Sequence, residues 1–319
     1  MYEVRENMNM KIVIATGVFP PDIGGPAKYA EHLYEEFLKQ GHGVSVLAFG
    51  NARRLPSGIR HLAYFFKLAR LAKGADLVLA LDTFSVGFPA FLAAKLFGVK
   101  VMVRVGGDFL WESWAERTGA KTTLKEFYAR IPSLSSKERC VYWVMRLLMR
   151  RADALAFNTT WQRDLFAGIY SIPEGRAFVV ENFYPEKEKG KNAPPGKKIF
   201  LWAGRPVKLK NVDMLMEAFR KATRGRPDIE LEMVSNTSPD EVKRKMKECW
   251  AVVLPSLTEV GSNIILEALA FGKPFILTQH TGLQKRLAGC GIFIDPLNAL
   301  ELAEQFVYLA DQNHYNEYV

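Results

Sequence analysis

Cysteine is scarce in this sequence, and long apolar runs are absent. The 319 residues include three cysteines, Cys140, Cys249 and Cys290, which lie far apart and match no metal-binding spacing. An odd, scattered set of this kind excludes a disulfide-stabilised secreted domain and indicates reduced thiols in a cytoplasmic protein. No apolar run approaches the length of a membrane-spanning helix. Because Glu3 and Glu6 stand where a secretory signal would be basic, we expect no such signal.

The composition is that of an ordinary globular protein. Hydrophobic residues make up 49% of the sequence and charged residues 24%. A chain of this length is longer than those that usually fold around a single hydrophobic core, so two domains are expected.

Acidic residues are missing from two basic stretches. Between positions 51 and 75 the charged residues are Arg53, Arg54, Arg60, Lys67, Arg70 and Lys73. The second stretch, VYWVM, is flanked by Arg139, Arg146, Arg150 and Arg151. Basic residues beside aromatic ones suit anionic lipid headgroups or nucleic acid, and a solvated helix face is the simpler alternative.

The order of apolar and amphipathic segments indicates an α/β fold. KIVIATGVF predicts a strand, PPDIGGPA a loop, KYAEHLYEEFLKQ a helix and GVSVLAFG the next strand. This order implies a parallel sheet with right-handed crossovers. The pattern restarts at IFLWAG, after a charged segment rich in proline and glycine. The sequence therefore predicts doubly wound domains at residues 1–185 and 198–319, joined by a linker at 186–197.

Two loops that follow predicted strands carry residues suited to phosphate. In open parallel sheets, ligands bind beyond the carboxyl ends of the strands. Gly24 and Gly25 follow the first strand and allow backbone N–H groups to approach a ligand, although a tight turn explains them equally well. Arg205 and Lys210 share the loop after the first strand of the second domain. Two cations beside a helix N-terminus suit a diphosphate.

The stretch PSLTEVGSNIILE places two acids around a helix start. Glu259 lies in the loop, Gly261 and Ser262 cap the helix, and Glu267 lies about one turn inside it. Backbone amides from Val260 to Asn263 would bind an anion between the two carboxylates. A carboxylate on an apolar helix needs a partner, so a salt bridge of Glu267 within its own domain is the alternative.

These stretches together resemble a known family. PSLTEVGSNIILEALAFGKPFILT is similar to the donor-site motif of the retaining GT-B glycosyltransferases of family 4, the glycosyltransferase group 1 domain, in which seven residues separate two glutamates. FPPDIGGPAKYAEHLYEEFLKQGHGV, VVENF and AGRPVKLKN agree with the family in the same order. The resemblance spans nearly the whole chain. It implies two Rossmann-like domains facing across a cleft, the N-terminal one for the acceptor and the C-terminal one for the donor.

The resemblance also implies a role for each candidate residue. Glu267 would bind the ribose hydroxyls of a UDP- or GDP-sugar, while Arg205 and Lys210 would hold the diphosphate and stabilise its departure. Glu259 would contact the sugar near its reacting carbon. The other implied donor-binding positions are Gly24, Gly25, Val260, Gly261, Ser262 and Asn263.

The implied reaction moves the sugar to a glycan or lipid-linked acceptor with retained configuration, as in polysaccharide or lipopolysaccharide biosynthesis. No metal or cofactor is expected, because cations and helix amides would take the developing charge and the sequence lacks an Asp-x-Asp element. The expected location is the cytoplasm, at the inner face of the cell membrane, with an anionic membrane surface and no nucleic acid as partner. A non-catalytic nucleotide-sugar-binding scaffold and a GT-B epimerase are the alternatives.

The sequence departs from the family pattern at several places. Where many relatives carry a histidine, this chain has Gly106, Gly107 and Asp108, so Asp108 is a candidate catalytic contact to the sugar or acceptor, or a turn cap. Only SNTSPDEVKRKMKECW separates IELEMV from AVVLPS, which predicts a trimmed second domain. The last helix is expected either to end that domain or to pack back on the first.

Aromatic residues are frequent between Phe109 and Arg151. Those considered are Trp111, Trp114, Tyr128, Tyr142 and Trp143. Beside basic residues they suit a lipid-linked or cell-surface glycan acceptor, and packing of the core is the alternative.

Overall fold

The computed structural model describes residues 9–22, 24–50, 56, 58–187 and 197–318. The chain forms two compact units. The first unit contains the residues up to Leu110 together with Ser133–Val180, and the second contains Trp111–Pro132 together with the residues from Glu181 onward. Of the predicted linker, residues 188–196 lie outside the described part of the chain.

The described helices alternate with strands through most of the chain. In chain order they are α1 (Gly25–Lys39), α2 (Ile59–Ala72), α3 (Gly87–Leu96), α4 (Phe109–Thr118), α5 (Leu124–Ala129), α6 (Ser136–Arg151), α7 (Thr160–Tyr170), α8 (Val212–Ala222), α9 (Pro239–Glu248), α10 (Asn263–Ala270), α11 (Ala299–Leu309) and α12 (Gln312–Asn316). Within the described residues, none of the helices has the length and apolar content needed to cross a bilayer.

The first unit is built on a parallel sheet. Its described strands are β1 (Lys11–Thr16), β2 (Gly43–Ala48), β3 (Leu77–Ala80), β4 (Lys100–Val105), β5 (Ala154–Phe157) and β6 (Ala177–Val179). Their order is β2-β1-β3-β4-β5-β6. Ile12 of β1 is in register with Val44 of β2 and with Leu77 of β3, and the apolar run of β1 is buried as a central parallel strand requires.

Helices cover both faces of this sheet. Right-handed crossovers place α1 on one face and α2, α3, α6 and α7 on the other. Along the second face α2 packs against α3, α3 against α6, and α6 against α7. The prediction of a doubly wound first domain is therefore confirmed.

The second unit repeats the architecture. Its described strands are β7 (Lys198–Ala203), β8 (Ile229–Val234), β9 (Ala251–Leu254), β10 (Phe275–Thr278) and β11 (Ile292–Ile294), in the order β11-β10-β9-β7-β8. Trp202, Phe275 and Phe306 are among the fully buried side chains of its core. Between β8 and β9 the described chain contains one helix, α9, in agreement with the short segment read from the sequence.

The segment Trp111–Pro132 packs with the second unit, although it lies between β4 and β5 in sequence. The backbone N–H of Leu124 donates to the Thr258 hydroxyl oxygen (3.0 Å), and the Glu116 carboxylate accepts from the backbone N–H of Lys208 (2.6 Å). The sequence-based limits placed this segment in the first domain. The difference arises because the limits followed chain order, whereas the segment is held by contacts far along the chain.

Most aromatic residues of the Phe109–Arg151 region pack the interior. Trp111, Trp114 and Tyr128 are buried, and the Trp111 indole N–H donates to the carbonyl oxygen of Thr122 (2.9 Å). For these residues the packing alternative holds. Trp143 on α6 is different, because its side chain is 62% exposed.

The last helices pack on the second unit. The Trp250 indole N–H donates to the carbonyl oxygen of Leu309 at the end of α11 (2.8 Å), and the Tyr315 ring of α12 lies against Trp250 with a centroid distance of 4.0 Å. The sequence had left open that the last helix packs back on the first domain. The apolar face of α11 instead completes the core of its own sheet.

The turn into α3 requires a glycine, and this requirement yields a test. A Cβ atom at Gly87 would lie 2.2 Å from the carbonyl oxygen of Asp82. We expect Gly87→Ala to lower the free energy of unfolding of the first unit by about 3 kcal/mol, because the Asp82–Gly87 backbone must shift. Hydrogen exchange of β1 and β3 amides in increasing urea measures this free energy for one unit of a two-unit chain.

The matched control is Gly168→Ala within α7. Gly168 is exposed, and a Cβ atom there would meet nothing within 4 Å. Alanine at this position should stabilise the helix by about 0.5–1 kcal/mol. Equal stability of the two variants would contradict the proposed clash.

Candidate functional site

Two loops of the second unit meet at the carboxyl end of its sheet. One follows β7 and contains Arg205 and Lys210, and the other follows β9 and leads through Glu259 into α10. The loops are neighbours because β7 pairs with β9. The backbone N–H of Leu257 donates to the carbonyl oxygen of Leu209 (2.9 Å) and joins them directly. The structure therefore brings the predicted cations and Glu259 into one pair of loops.

Lys210 and Glu259 form an ion pair between these loops. The Lys210 ammonium contacts Oε1 of Glu259, and the Ser256 hydroxyl donates to the same oxygen (2.6 Å). The two side chains are 28% and 11% exposed, so each charge compensates the partly desolvated charge of the other. No side chain among the described residues bonds Oε2 of Glu259, which leaves this oxygen available to a ligand hydroxyl. Sequence reasoning missed Ser256, a hydroxyl two residues after the end of a buried strand.

The backbone of Glu259 is fixed by the segment that follows β10. Its N–H donates to the carbonyl oxygen of His280 (3.0 Å), and its carbonyl oxygen accepts from the N–H of Gly282 (3.1 Å). This is a single parallel bridge opposite Thr281. The carboxylate therefore extends from a backbone that is held on both sides.

A short 3-10 turn, Lys208–Lys210, positions the lysine. The turn ends at Asn211, whose φ of +53° lies in the left-handed region that asparagine tolerates. The Asn211 side chain is buried, and its Nδ2 donates to the carbonyl oxygens of Pro255 (3.2 Å) and Pro296 (2.6 Å). Asn211 thus connects the lysine turn to the end of β9. Its only sequence signal is an asparagine directly before a helix.

Arg205 is exposed and forms no ion pair within the described residues. A Cβ atom at the preceding Gly204 would lie 3.6 Å from the Trp202 ring and 3.9 Å from Cε of Lys210. The end of the Lys210 side chain therefore lies near Gly204, which precedes Arg205 in the chain. Two cations of one loop, one held by Glu259 and one exposed, provide positive charge for an anionic ligand.

Helix α10 begins beside the ion pair. The half-buried residues Val260 and Gly261 form the turn into it, and Ser262 is the N-cap residue, although its hydroxyl makes no capping bond. Asn182 holds the turn, since its Nδ2 donates to the carbonyl oxygen of Gly261 (3.2 Å) and to Oδ1 of Asn263 (2.7 Å). A helix start without a side-chain cap leaves N–H groups that attract an anion.

Glu267 lies one turn into α10 and is half-buried. Its neighbours Leu266 and Ala268 are buried, so the carboxylate lies at the border between the core and the surface. The predicted contact of Glu267 with ribose stays a prediction.

The remaining candidates belong to the first unit. Gly24 precedes α1 with φ of +134°, a conformation that favours glycine, and the exposed Gly25 is the first residue of the helix. Asp108 follows β4 and is 1% exposed. All three stand at the carboxyl end of the first sheet, as the sequence predicted, and their roles stay predictions.

Asp82, which sequence reasoning missed, stands at the same end of the first sheet. It follows β3 and accepts the backbone N–H groups of Val86 (2.9 Å) and Gly87 (3.3 Å). Loss of water contact raises the pKa of Asp82, and these amide bonds partly oppose the rise. The sequence signal is an acid two residues after a buried strand.

Within the described ranges, no three histidine, cysteine, aspartate or glutamate side chains form a group that could hold a metal ion. Metal independence stays a prediction.

Two family profiles match the chain. The family described as "Glycosyl transferase 4-like domain" matches residues 24–182, and "Glycosyl transferases group 1" matches residues 233–312. The D-inositol 3-phosphate glycosyltransferase of Pseudarthrobacter chlorophenolicus is 26% identical over 160 residues. That alignment covers 40% of this chain and 38% of the relative.

Three solved structures share the fold of this chain. Sucrose-phosphate synthase from Thermosynechococcus elongatus has a TM-score of 0.68 at 15% identity, over 97% of this chain and 94% of that one. The lipopolysaccharide outer core galactosyltransferase WaaB has a TM-score of 0.58 at 16% identity, over 92% and 88%. A mutant of S. aureus TarM, in complex with fondaparinux, alpha-GlcNAc-glycerol and UDP, has a TM-score of 0.59 at 12% identity, over 81% and 54%. These likenesses confirm the predicted two-domain α/β fold of the GT-B type.

The buried amide of Asn211 yields a test of how the site is held. We expect Asn211→Gly to lower the free energy of unfolding of the second unit by about 1–3 kcal/mol, because two buried carbonyl oxygens lose their donor. Urea unfolding followed by hydrogen exchange of β7 and β9 amides measures the change.

The matched control is Asn236→Gly. Asn236 has nearly the same φ, +54°, but is exposed, so glycine relieves the same backbone strain without loss of a buried bond. Its free energy of unfolding should change by no more than about 0.5 kcal/mol. A similar loss in both variants would show that backbone conformation, rather than the amide bonds, is what matters at Asn211.

Proposed function

The chain belongs to the group 1 glycosyltransferases of family 4, and from this membership we propose that it is a retaining enzyme acting on a nucleoside diphosphate sugar. The sugar goes to a glycan or a lipid-linked acceptor. The observation that carries the proposal is the joining of two loops by Lys210 and Glu259, beside the exposed Arg205 and the uncapped start of α10. This group of residues suits a diphosphate that carries a sugar.

The diphosphate is the part of the donor that needs the most charge compensation. When the bond between the anomeric carbon and the phosphate oxygen breaks, negative charge grows on the departing diphosphate. Arg205, Lys210 and the N–H groups of α10 supply the cations and donors that stabilise this charge most in the transition state. With UDP or GDP as leaving group, this charge compensation requires no metal ion.

The two glutamates act on opposite parts of the donor. Glu259 uses Oε1 to hold Lys210 and offers Oε2 to a hydroxyl of the transferred sugar. Glu267, one turn along α10, accepts hydrogen bonds from the ribose hydroxyls. Glu259 precedes the start of α10 and Glu267 lies one turn into the helix. In this proposal the phosphate group binds between these two acids.

We also propose roles for three residues of the first unit. The glycine pair before α1, Gly24 and Gly25, gives its amides to the phosphate or sugar. Asp108 contacts the transferred sugar or the acceptor hydroxyl.

Retention follows from attack on the face that the diphosphate leaves. The acceptor oxygen forms the new bond to the anomeric carbon as the phosphate oxygen departs with the bonding electrons. The acceptor proton passes to that departing phosphate oxygen, so no protein nucleophile is needed.

The proposed place of action is the cytoplasm, at the inner face of the cell membrane. The three cysteines form no disulfide within the structure, and Cys140 is an exposed free thiol. Unpaired thiols are typical of reducing compartments.

Binding of the donor tests the role of Glu267. We expect Glu267→Ala to weaken the Kd of the nucleotide sugar by about 10- to 100-fold, because charge-assisted hydrogen bonds to two hydroxyls are lost. A thermal-shift screen of UDP- and GDP-sugars selects the donor, and calorimetric titration gives its Kd. Glu304→Ala, at an exposed position of α11, is the control and should bind as the parent does. Unchanged affinity in Glu267→Ala would refute the ribose contact.

Turnover tests the role of Arg205. We expect Arg205→Met to lower kcat for release of UDP or GDP by about 100- to 1,000-fold, with a smaller change in donor Kd, because the cation acts mainly on the leaving group. Arg205→Lys should recover part of the rate. The neighbouring exposed lysine gives the control Lys208→Met, which should keep the parental kcat. Equal losses in both methionine variants would leave no specific role for Arg205.

A further inference from the structure

One face of the first unit exposes several large apolar side chains to solvent. The helices α2, α3 and α6 lie side by side on that face. Large apolar side chains project from all three into solvent: Ile59, Leu62, Phe66, Leu96, Trp143 and Leu147. Leu96 is 63% and Trp143 62% exposed. We call this surface the α2–α3–α6 face.

The exposed side chains follow the helical repeat on the side opposite the core. On α2, Ile59, Leu62 and Phe66 point outward, while Tyr64 and Leu68 are buried toward the sheet. An ordinary surface helix has one apolar side and one polar side. A helix that is apolar on its outer side as well indicates that another phase or molecule covers it.

Helix α6 shows the same arrangement. Trp143 and Leu147, four residues apart, face outward, while Met145 and Leu148 are buried. The Arg146 guanidinium lies 5.7 Å from the centre of the Trp143 ring. Tryptophan beside arginine is the combination found where proteins meet the headgroup region of a bilayer.

The charged residues of this face have one sign. Lys67, Arg70, Lys73, Arg139, Arg150 and Arg151 are all exposed. The sequences of α2 and α3 contain no acid. The acid of α6, Glu138, is buried and accepts the backbone N–H of Ser135 in the helix cap (2.7 Å). Asp153 is engaged by Lys95 and Lys100, so it does not offset the exposed cations.

We propose that the α2–α3–α6 face docks on an anionic bilayer surface. The tryptophan, phenylalanine and leucine side chains enter the boundary between headgroups and acyl chains, and the lysines and arginines contact the anionic headgroups. A second copy of this chain fits poorly, because two faces with the same positive charge repel each other. The inference gives a definite surface to the proposed location at the inner membrane face, and it does not depend on sugar transfer.

Vesicle binding tests the proposal. The full chain is sedimented with vesicles of phosphatidylcholine alone, or of phosphatidylcholine mixed equally with phosphatidylglycerol, at low and high salt. It should bind the anionic vesicles, and salt should weaken the binding. Trp143→Glu and Leu147→Glu should each lower binding at least about tenfold, and Arg150→Gln about fivefold. Leu300→Glu, on α11 of the second unit and similarly exposed, is the control and should bind as the parent does.

Insertion is measured separately from adsorption. Brominated acyl chains should quench part of the tryptophan fluorescence of the bound parent protein. Trp143→Phe keeps an apolar ring, so it should keep vesicle binding and lose that quenching. Circular dichroism melts of every variant check that the fold is intact, which is expected because Trp143 and Leu147 are exposed.

Several results would overturn the proposal. One is absence of binding to anionic vesicles at low salt, and another is an equal loss in Leu300→Glu and Trp143→Glu. If Trp143→Glu turned a dimer into a monomer without a change in vesicle binding, the face would be a self-association surface. Loss of donor turnover with normal vesicle binding would contradict the proposed function alone.

Discussion

The ion pair between Lys210 and Glu259 is the interaction on which the candidate site depends. It closes two loops that leave neighbouring strands, and each loop has its own anchor: Asn211 for the lysine turn and Ser256 for the carboxylate. Without Lys210, no cation would compensate the partly desolvated carboxylate of Glu259, which lies beside the start of α10. Without the acid, a flexible ammonium would have no fixed direction. The pair is therefore what gives this end of the sheet one defined geometry.

The two units use positive charge in different ways. In the candidate site of the second unit, an ion pair between two loops fixes Lys210 in the same loop that contains Arg205, and two cations so placed suit a compact anion with a defined shape. In the first unit, basic residues such as Arg139 and Arg150 are spread over three helices among apolar side chains, which suits an extended anionic surface. The first arrangement favours geometric selectivity and the second favours summed weak attraction. The net charge of the whole chain describes neither of these two arrangements of positive charge.

The elements and the loop positions were predictable because their signals are local. Apolar periodicity identified the strands, and the serine before an apolar helix identified the start of α10. Asn182 and Asn211 were not predictable as site residues, because their partners lie far along the chain and appear only once the sheet has formed. The sequence around Trp143 indicated an aromatic, basic helix, yet which side of that helix faces water depends on how α6 packs against α3 and α7. No local feature of the sequence indicates that Trp111–Pro132 packs with the second unit.

The second unit is discontinuous in sequence, and this affects the order in which the chain can fold during its synthesis. Helix α5 and the buried rings of Trp114 and Phe127 belong to the second unit and are synthesised before any strand of its sheet. The first sheet meanwhile lacks β5 and β6. The first unit can complete its sheet once β6 is made, whereas the segment Trp111–Pro132 waits for partners such as Thr258 that are translated later. A fragment that starts at Glu181 would likewise lack the hydrogen bonds that Leu124 and Glu116 make to Thr258 and Lys208.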